Sequence, residues 1–536
     1  MLKEQFQKVN SFYLRLIDKN FISKKESNLI LYGIIAIVLL IRIYTFNVPL
    51  TDRTSWKEID YITISQNYLH NGFNLFRPTI TWPAEEPRVT AMEFPLVPYL
   101  AAILYRIFGF NTFSVRIIPL IVYLMIILVV FKLVNKEIGP VPALFAAAMA
   151  GFIPLTSDFG NILFSYPVAV LTGVTSIYLF YQWTDNNNKK GFLIISGFLF
   201  SITLLLMPTE LTIIIPLLWL FFRKYGTDIK RWKTMFFFII VSFILPVLWY
   251  TYAYYLTRDS IDVFGVFGGH DKYQTFGMLS KEWWYLRILK RIYILLSGPL
   301  GFFSCFVGVC SVLFFKKGTL FLFYGISFAA FVIIVAEGNI DAPYRQFCGI
   351  PALSAFFGIG FTYIISLFSL INIKLNKDSF RPFSLVIIGM TIIVLVFLIS
   401  NYRLLFNSDK EQPMMPNEWI LGKEIQKNSA TGSFVITAGT YTIHKGGNDL
   451  SPVLFYYSNR QGWIIQKNQL TMDYINAYKQ KGATLFAAEN ISREPELKSF
   501  CEEIKKNYHT IYQDDALGLL LVDLTSQNKI LSQNRN

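Results

Sequence analysis

Long apolar segments recur along this chain, and they leave little freedom in fold class. A helix needs about 20 apolar residues to cross a bilayer, fewer where its ends are buried in protein. By that measure the sequence predicts about eleven spans. They lie near 29–46, 114–134, 140–156, 167–183, 191–207, 211–222, 234–254, 297–315, 318–336, 347–371 and 383–400. The pair 191–207 and 211–222 contains the shortest member, and dropping both would leave the topology unchanged. Charged residues make up 16% of the chain, against roughly 25% in soluble proteins. Residues 1–28 are basic and weakly amphipathic, which predicts an interfacial helix on the cytoplasmic surface ahead of an uncleaved anchor.

The net charge of +14 would suit a nucleic-acid binder, but its distribution points elsewhere. Lys132 and Lys136, Lys189 and Lys190, Arg223 to Lys233, Lys316 and Lys317, and Lys374 to Arg381 all fall in or at the edge of alternate gaps between spans. The short gaps SDFGN and PTE carry no Lys or Arg. This is the positive-inside asymmetry. It predicts a multi-pass protein of the cell membrane with a cytoplasmic N-terminus, membrane lipid around it and no nucleic-acid partner. The loops 47–113 and 255–296, and everything after residue 400, then lie outside. The four cysteines read as structural thiols, since three of them sit in apolar segments.

Residues 401–536 change character, with apolar runs of strand length at 433–439, 483–489 and 517–524. Helical stretches are predicted at 417–428, 452–459, 472–481 and 494–507, the second capped by Ser451 with Pro452 at its first position. Alternation of this kind predicts a small extracytoplasmic α/β domain with a largely parallel sheet. The segment AGTYTIHKGGND lacks the spacing of a phosphate loop, so an accessory binding or positioning role is expected.

The polar stretch 56–99 of the first outer loop gathers Glu58, Asp60, Glu86 and Glu93 with Arg77 and Arg88. The run from Glu58 to Leu69 has no Gly or Pro and predicts a helix. Glu58 and Asp60 would point about 200° apart on it, so one of them at most faces a given cavity. Both could be surface charges; either could be a catalytic acid or base. Glu93, before Phe94-Pro95, could be a helix-dipole partner or a substrate contact, with Tyr61 and Arg88 as further contacts. In the second large loop Arg287, Lys290 and Arg291 share a helical face, against the orientation rule. A phosphate would satisfy them, as would anionic lipid headgroups. Lys272 and Arg345 are further phosphate candidates. His270 and Asp271 could form a metal site, but with four His in the chain and no His-pair spacing the signal is weak, so no metal residue is assigned and a divalent-metal requirement stays open.

The stretches NYLHNGFNLFRP (67–78), MEFPLVPYLAAILYRIFG (92–109) and Arg116 in SVRIIP resemble a known family. It is the polytopic GT-C glycosyltransferases of the protein-O-mannosyltransferase and aminoarabinose-transferase type. Weaker likeness extends to 207–217, 344–360 and 451–463. The resemblance implies a helical GT-C membrane domain with a C-terminal extracytoplasmic α/β domain. It also implies transfer of a sugar from a polyprenyl-phosphate donor to an acceptor hydroxyl on a protein, lipid or surface glycan, with Asp60 as base. Glu58 stands in reserve, because this chain has Lys57-Glu58 where many relatives have Asp-Glu. Ser165-Tyr166-Pro167 replaces an acidic position of the family, for which Asp158 could substitute, and Met207 stands where a Lys is common. A transporter or flippase of a lipid-linked glycan is the alternative, but the internal repeats and mid-membrane charges it would call for are not evident.

Overall fold

The computed structural model describes residues 2–47, 57–82, 84, 88–90, 93–185, 189–258, 275–368, 370, 382–400, 416–439 and 451–527. The chain forms two compact units. The first comprises residues 1–46, 116–250 and 271–408, and the second residues 47–115, 251–270 and 409–536.

The first unit is a helical bundle. Among the described residues five helices of the chain are long and apolar enough to cross a membrane: Lys24–Tyr44, Thr112–Glu137, Lys230–Thr257, Glu282–Phe315 and Pro343–Leu367. Shorter apolar helices include Pro140–Phe152, Lys190–Leu206, Thr319–Ile334 and Phe383–Ile399. Every residue of Pro140–Phe152 is buried, which makes it the centre of the bundle. Close helix crossing depends on small residues here, because lipid supplies no hydrophobic force to press helices together. A Cβ on Gly360 would run into the Ser304 carbonyl, and one on Gly308 into the Phe356 carbonyl. The N-terminal helix Leu2–Leu16 turns Val9, Tyr13 and Leu16 inward. Tyr13 packs against Phe315 and Tyr363. A capping box then starts Lys24–Tyr44: Glu26 N–H donates to Ser23 Oγ at 3.2 Å and Ser23 N–H to Glu26 Oε2 at 2.9 Å.

The second unit contains a five-stranded sheet of order β2-β1-β3-β5-β4, where β1 is Phe434–Ala438, β2 Gln461–Ile464, β3 Ala483–Ala488, β4 Tyr508–Asp514 and β5 Leu519–Gln527. β1 pairs in parallel with β2 and β3, but β5 runs antiparallel to β3 and to β4. The sheet is therefore mixed rather than largely parallel. The cause is local: β4 leads through a short turn at 515–518 straight into β5, with Gly518 at φ +67°, and a connection that short reverses the chain. Helices Pro416–Lys427, Val453–Ser458, Met472–Gln480 and Pro495–Asn507 fall close to their predicted places. Val453–Ser458 begins one residue late, with Pro452 at the cap, and Ser451 Oγ accepts from Val453 N–H at 3.4 Å. The core holds Ile436, Trp463, Phe486, Phe500, Ile504 and Val522.

Candidate functional site

The helix predicted after Trp56 forms as Lys57–His70. Both of its acidic residues are buried, Glu58 at 3% and Asp60 at 2% exposure. The surface-charge reading of this pair is thus overturned, and a buried carboxylate needs a reason. Their separation around the helix holds. Glu58 acts electrostatically on Tyr105, whereas Asp60 feels Lys57 and Glu93. Helix Leu96–Phe108 packs beside Lys57–His70, with Tyr68 edge-on to Tyr99 at 5.3 Å.

Glu93 completes the group. Its side chain is 14% exposed, Lys57 Nζ lies 3.5 Å from Oε1, and the Tyr61 hydroxyl donates to the same oxygen. Burial opposes the charge of Glu93. Lys57, the Tyr61 hydroxyl and its own backbone N–H outweigh burial and hold its carboxyl below the ordinary glutamate value. Asp60 goes the other way. Burial, above all, lifts it well above the ordinary aspartate value; Lys57 opposes this and Glu93 adds to it. Two neighbouring carboxyls driven apart are the usual signature of divided roles, one kept ionised and one poised to exchange a proton.

The other sequence candidates are scattered. Arg88 donates to Gln461 Oε1 at 2.7 Å. Asp158 falls on the short helix Pro154–Phe159, and its side chain lies outside the described residues, as do Glu86, His270, Asp271 and Lys272 in full. On helix Glu282–Arg291 the inward face is Trp284, Ile288 and Arg291: Trp284 Nε1 donates to the Ala336 carbonyl at 2.9 Å and Arg291 donates to the Asn339 carbonyl. Arg287 and Lys290 are exposed beside Trp283, Leu286 and Leu289, whereas Arg291 is half-buried. Arg345 is half-buried in the turn Pro343–Gly349. Among the described residues no three His, Cys, Asp or Glu side chains group as a metal site.

Sequence reasoning noted Arg116 only as part of the family resemblance and passed over Arg42, so a second polar centre in the helical bundle went unread. Arg42 and Arg116 are each 3% exposed. Arg116 donates to the Asn161 carbonyl at 2.6 Å, and Arg42 reaches Asn161 Oδ1 at 3.5 Å with its guanidinium 4.6 Å over the Tyr123 ring. A Cβ on Gly160 would run into the Arg42 guanidinium, so only glycine fits. The available signal was an Arg inside the first apolar run, which is costly and seldom idle. Glu210, in the turn Pro208–Ile213, was also passed over; it is 2% exposed, and burial pushes its carboxyl up to about 7.

Comparison with known proteins sets this arrangement in context. A family model of dolichyl-phosphate-mannose-protein mannosyltransferases matches residues 87–250. The structure is similar to that of ArnT from Cupriavidus metallidurans bound to undecaprenyl phosphate, with a TM-score of 0.62 over 92% of this chain and 97% of that one, at 11% identity. The chain has the GT-C fold of the PMT and ArnT type. It is also similar to the archaeal oligosaccharyltransferase AglB from Archaeoglobus fulgidus in complex with an inhibitory peptide and a dolichol-phosphate. There the TM-score is 0.53 over 91% of this chain and 74% of that one, at 11% identity. Comparison with curated proteins gives no match. The GT-C assignment agrees with the resemblance carried by the EFPL block, and it covers both the helical bundle and the C-terminal sheet.

Proposed function

We propose that this protein is an integral membrane glycosyltransferase that moves a monosaccharide from a polyprenyl-phosphate donor to an acceptor hydroxyl on the outer face of the cell membrane, with inversion. The observation that carries the reading is the buried group Lys57, Asp60, Tyr61 and Glu93, in which one carboxyl is raised and its neighbour lowered. Asp60 in its ionised form takes the proton of the acceptor hydroxyl as the new C–O bond forms at the anomeric carbon. The bond from that carbon to the phosphate oxygen breaks, and polyprenyl phosphate leaves with one more negative charge. General-base help of this kind is worth about 10²–10⁴ in rate. Glu93, kept ionised by Lys57 and Tyr61, orients the acceptor.

The leaving phosphate needs cations. Arg42 and Arg116 are buried guanidiniums able to fork phosphate oxygens. Arg287 and Lys290, exposed among apolar side chains, suit the same phosphate chemistry or outer-leaflet headgroups. The donor class is supported by the undecaprenyl phosphate of the ArnT structure and the dolichol-phosphate of the AglB structure. The test is transfer of radiolabelled sugar from a polyprenyl-phosphate donor pool by the purified protein. Transfer supports the reading. Movement of the donor across liposomes without transfer would replace it with a flippase.

A further inference from the structure

We propose that the C-terminal sheet is the positioning scaffold of the first-loop carboxylates, acting through Gln461 and Gly462 of its edge strand. β2 has one strand neighbour, β1, so its other edge presents backbone groups that need partners. The first loop supplies them. Ala84 N–H donates to the Gly462 carbonyl at 2.9 Å, and its side chain packs against the core of the sheet. Arg88 donates to Gln461 Oε1 at 2.7 Å, a hydrogen bond strengthened by the guanidinium charge. Gly462 lies so close to β1 that a Cβ would run into the Val435 carbonyl, which leaves β2 no room to move inward.

The docking is passed on to the ionisable group. Thr79 and Val89 pair antiparallel, with Ile80 N–H to the Arg88 carbonyl at 2.9 Å and Thr90 N–H to the Pro78 carbonyl at 3.0 Å. Glu93 follows Thr90 by three residues and meets Tyr61 and Lys57. The loop is held a second time near its end, where Phe110 lies edge-on to Tyr456 at 6.4 Å. Gln461 therefore acts through Arg88 as a positioning residue, remote from the carboxylates themselves. The kinetic consequence rests on the transferase reading; the mechanical one does not.

The experiment uses the full chain in detergent, with Gln461→Leu, Gln461→Glu and Arg88→Gln compared by hydrogen exchange and by sugar transfer. Gln461→Leu and Arg88→Gln are expected to speed exchange across 57–70 and 88–95 by about tenfold or more. The strands β1 and β3 keep their protection. Transfer should show a lowered kcat with the donor KM unchanged and a displaced acid limb, because Glu93 loses its fixed distance to Lys57. Gln461→Glu still accepts from Arg88 and should restore both readouts. Unchanged exchange at 57–70 and 88–95 in both disrupting variants overturns the proposal. If Gln461→Leu unfolds the sheet, Arg88→Gln decides from the loop side. If the wild type transfers no sugar, the transferase reading fails while the exchange comparison still judges the scaffold.

Discussion

Replacing Asp60 by Asn changes one oxygen for a nitrogen at a site 2% exposed, so packing is preserved and two separate consequences follow. The first is kinetic. Asn cannot take the acceptor proton, and losing a general base costs about 10²–10⁴ in rate, or about 3–5 kcal/mol of barrier. The second is a stability effect with a definite sign. Burial raises the Asp60 pKa in the folded protein, so the folded state holds this proton more tightly than the unfolded one. The contribution of Asp60 to stability is fully present below the unfolded aspartate value of about 3.9 and is lost as pH rises toward the folded pKa, by about 1.4 kcal/mol for every pH step of one between the two values. Asn carries no such dependence. The thermal midpoint of the variant relative to the wild type should therefore climb as pH rises above about 4, while transfer falls by at least about a hundredfold. Transfer within about threefold of the wild type would remove Asp60 from the role of base. A midpoint difference that stays flat with pH would show that its carboxyl is not raised.

Glu93→Gln should act with the opposite pH sense: the depressed Glu93 carboxyl stabilises above the ordinary glutamate value and its contribution fades as pH falls. The variant should be less stable than wild type by about 1–3 kcal/mol at pH 7 and near parity in acid, read from chemical or thermal unfolding. Arg116→Lys should raise the donor KM or lower kcat by about tenfold or more, since a point charge cannot fork two phosphate oxygens; unaltered kinetics would exclude Arg116 from donor binding. Gly360→Val should cost at least about 1–3 kcal/mol by forcing the Gly298–Phe315 and Ile350–Phe368 helices apart, seen as a lower midpoint in detergent with no preference for pH.

What the sequence disclosed followed the range of the forces involved. The strands β1, β3 and β5 are apolar because the sheet buries them, and each was legible as a short apolar run. β2 is only QGWI and β4 is YHTIYQD; both lie at the sheet's edges, where the pattern of burial is weak, and neither was anticipated. The separation of Glu58 from Asp60 was legible because helix geometry is local. Their burial was not, because it depends on Leu96–Phe108 and on the residues around Glu93. Arg42 escaped notice inside a run scored for hydropathy, although its contact with Asn161 gives it a purpose in the fold. The joining of Arg88 to Gln461 has no sequence signature: neither residue type at either position implies the other.

That last contact also sets an order of events during biogenesis. Gln461 follows Arg88 by 373 residues, and most of the apolar helices lie between them. The first loop is made early in synthesis and must wait until the strand that receives Arg88 and the Ala84 N–H has been made. Long-range closure of this kind is slow to form. A nascent chain interrupted before residue 461 would lack the strand that holds the first loop, so the loop would be finished only once that strand has been made.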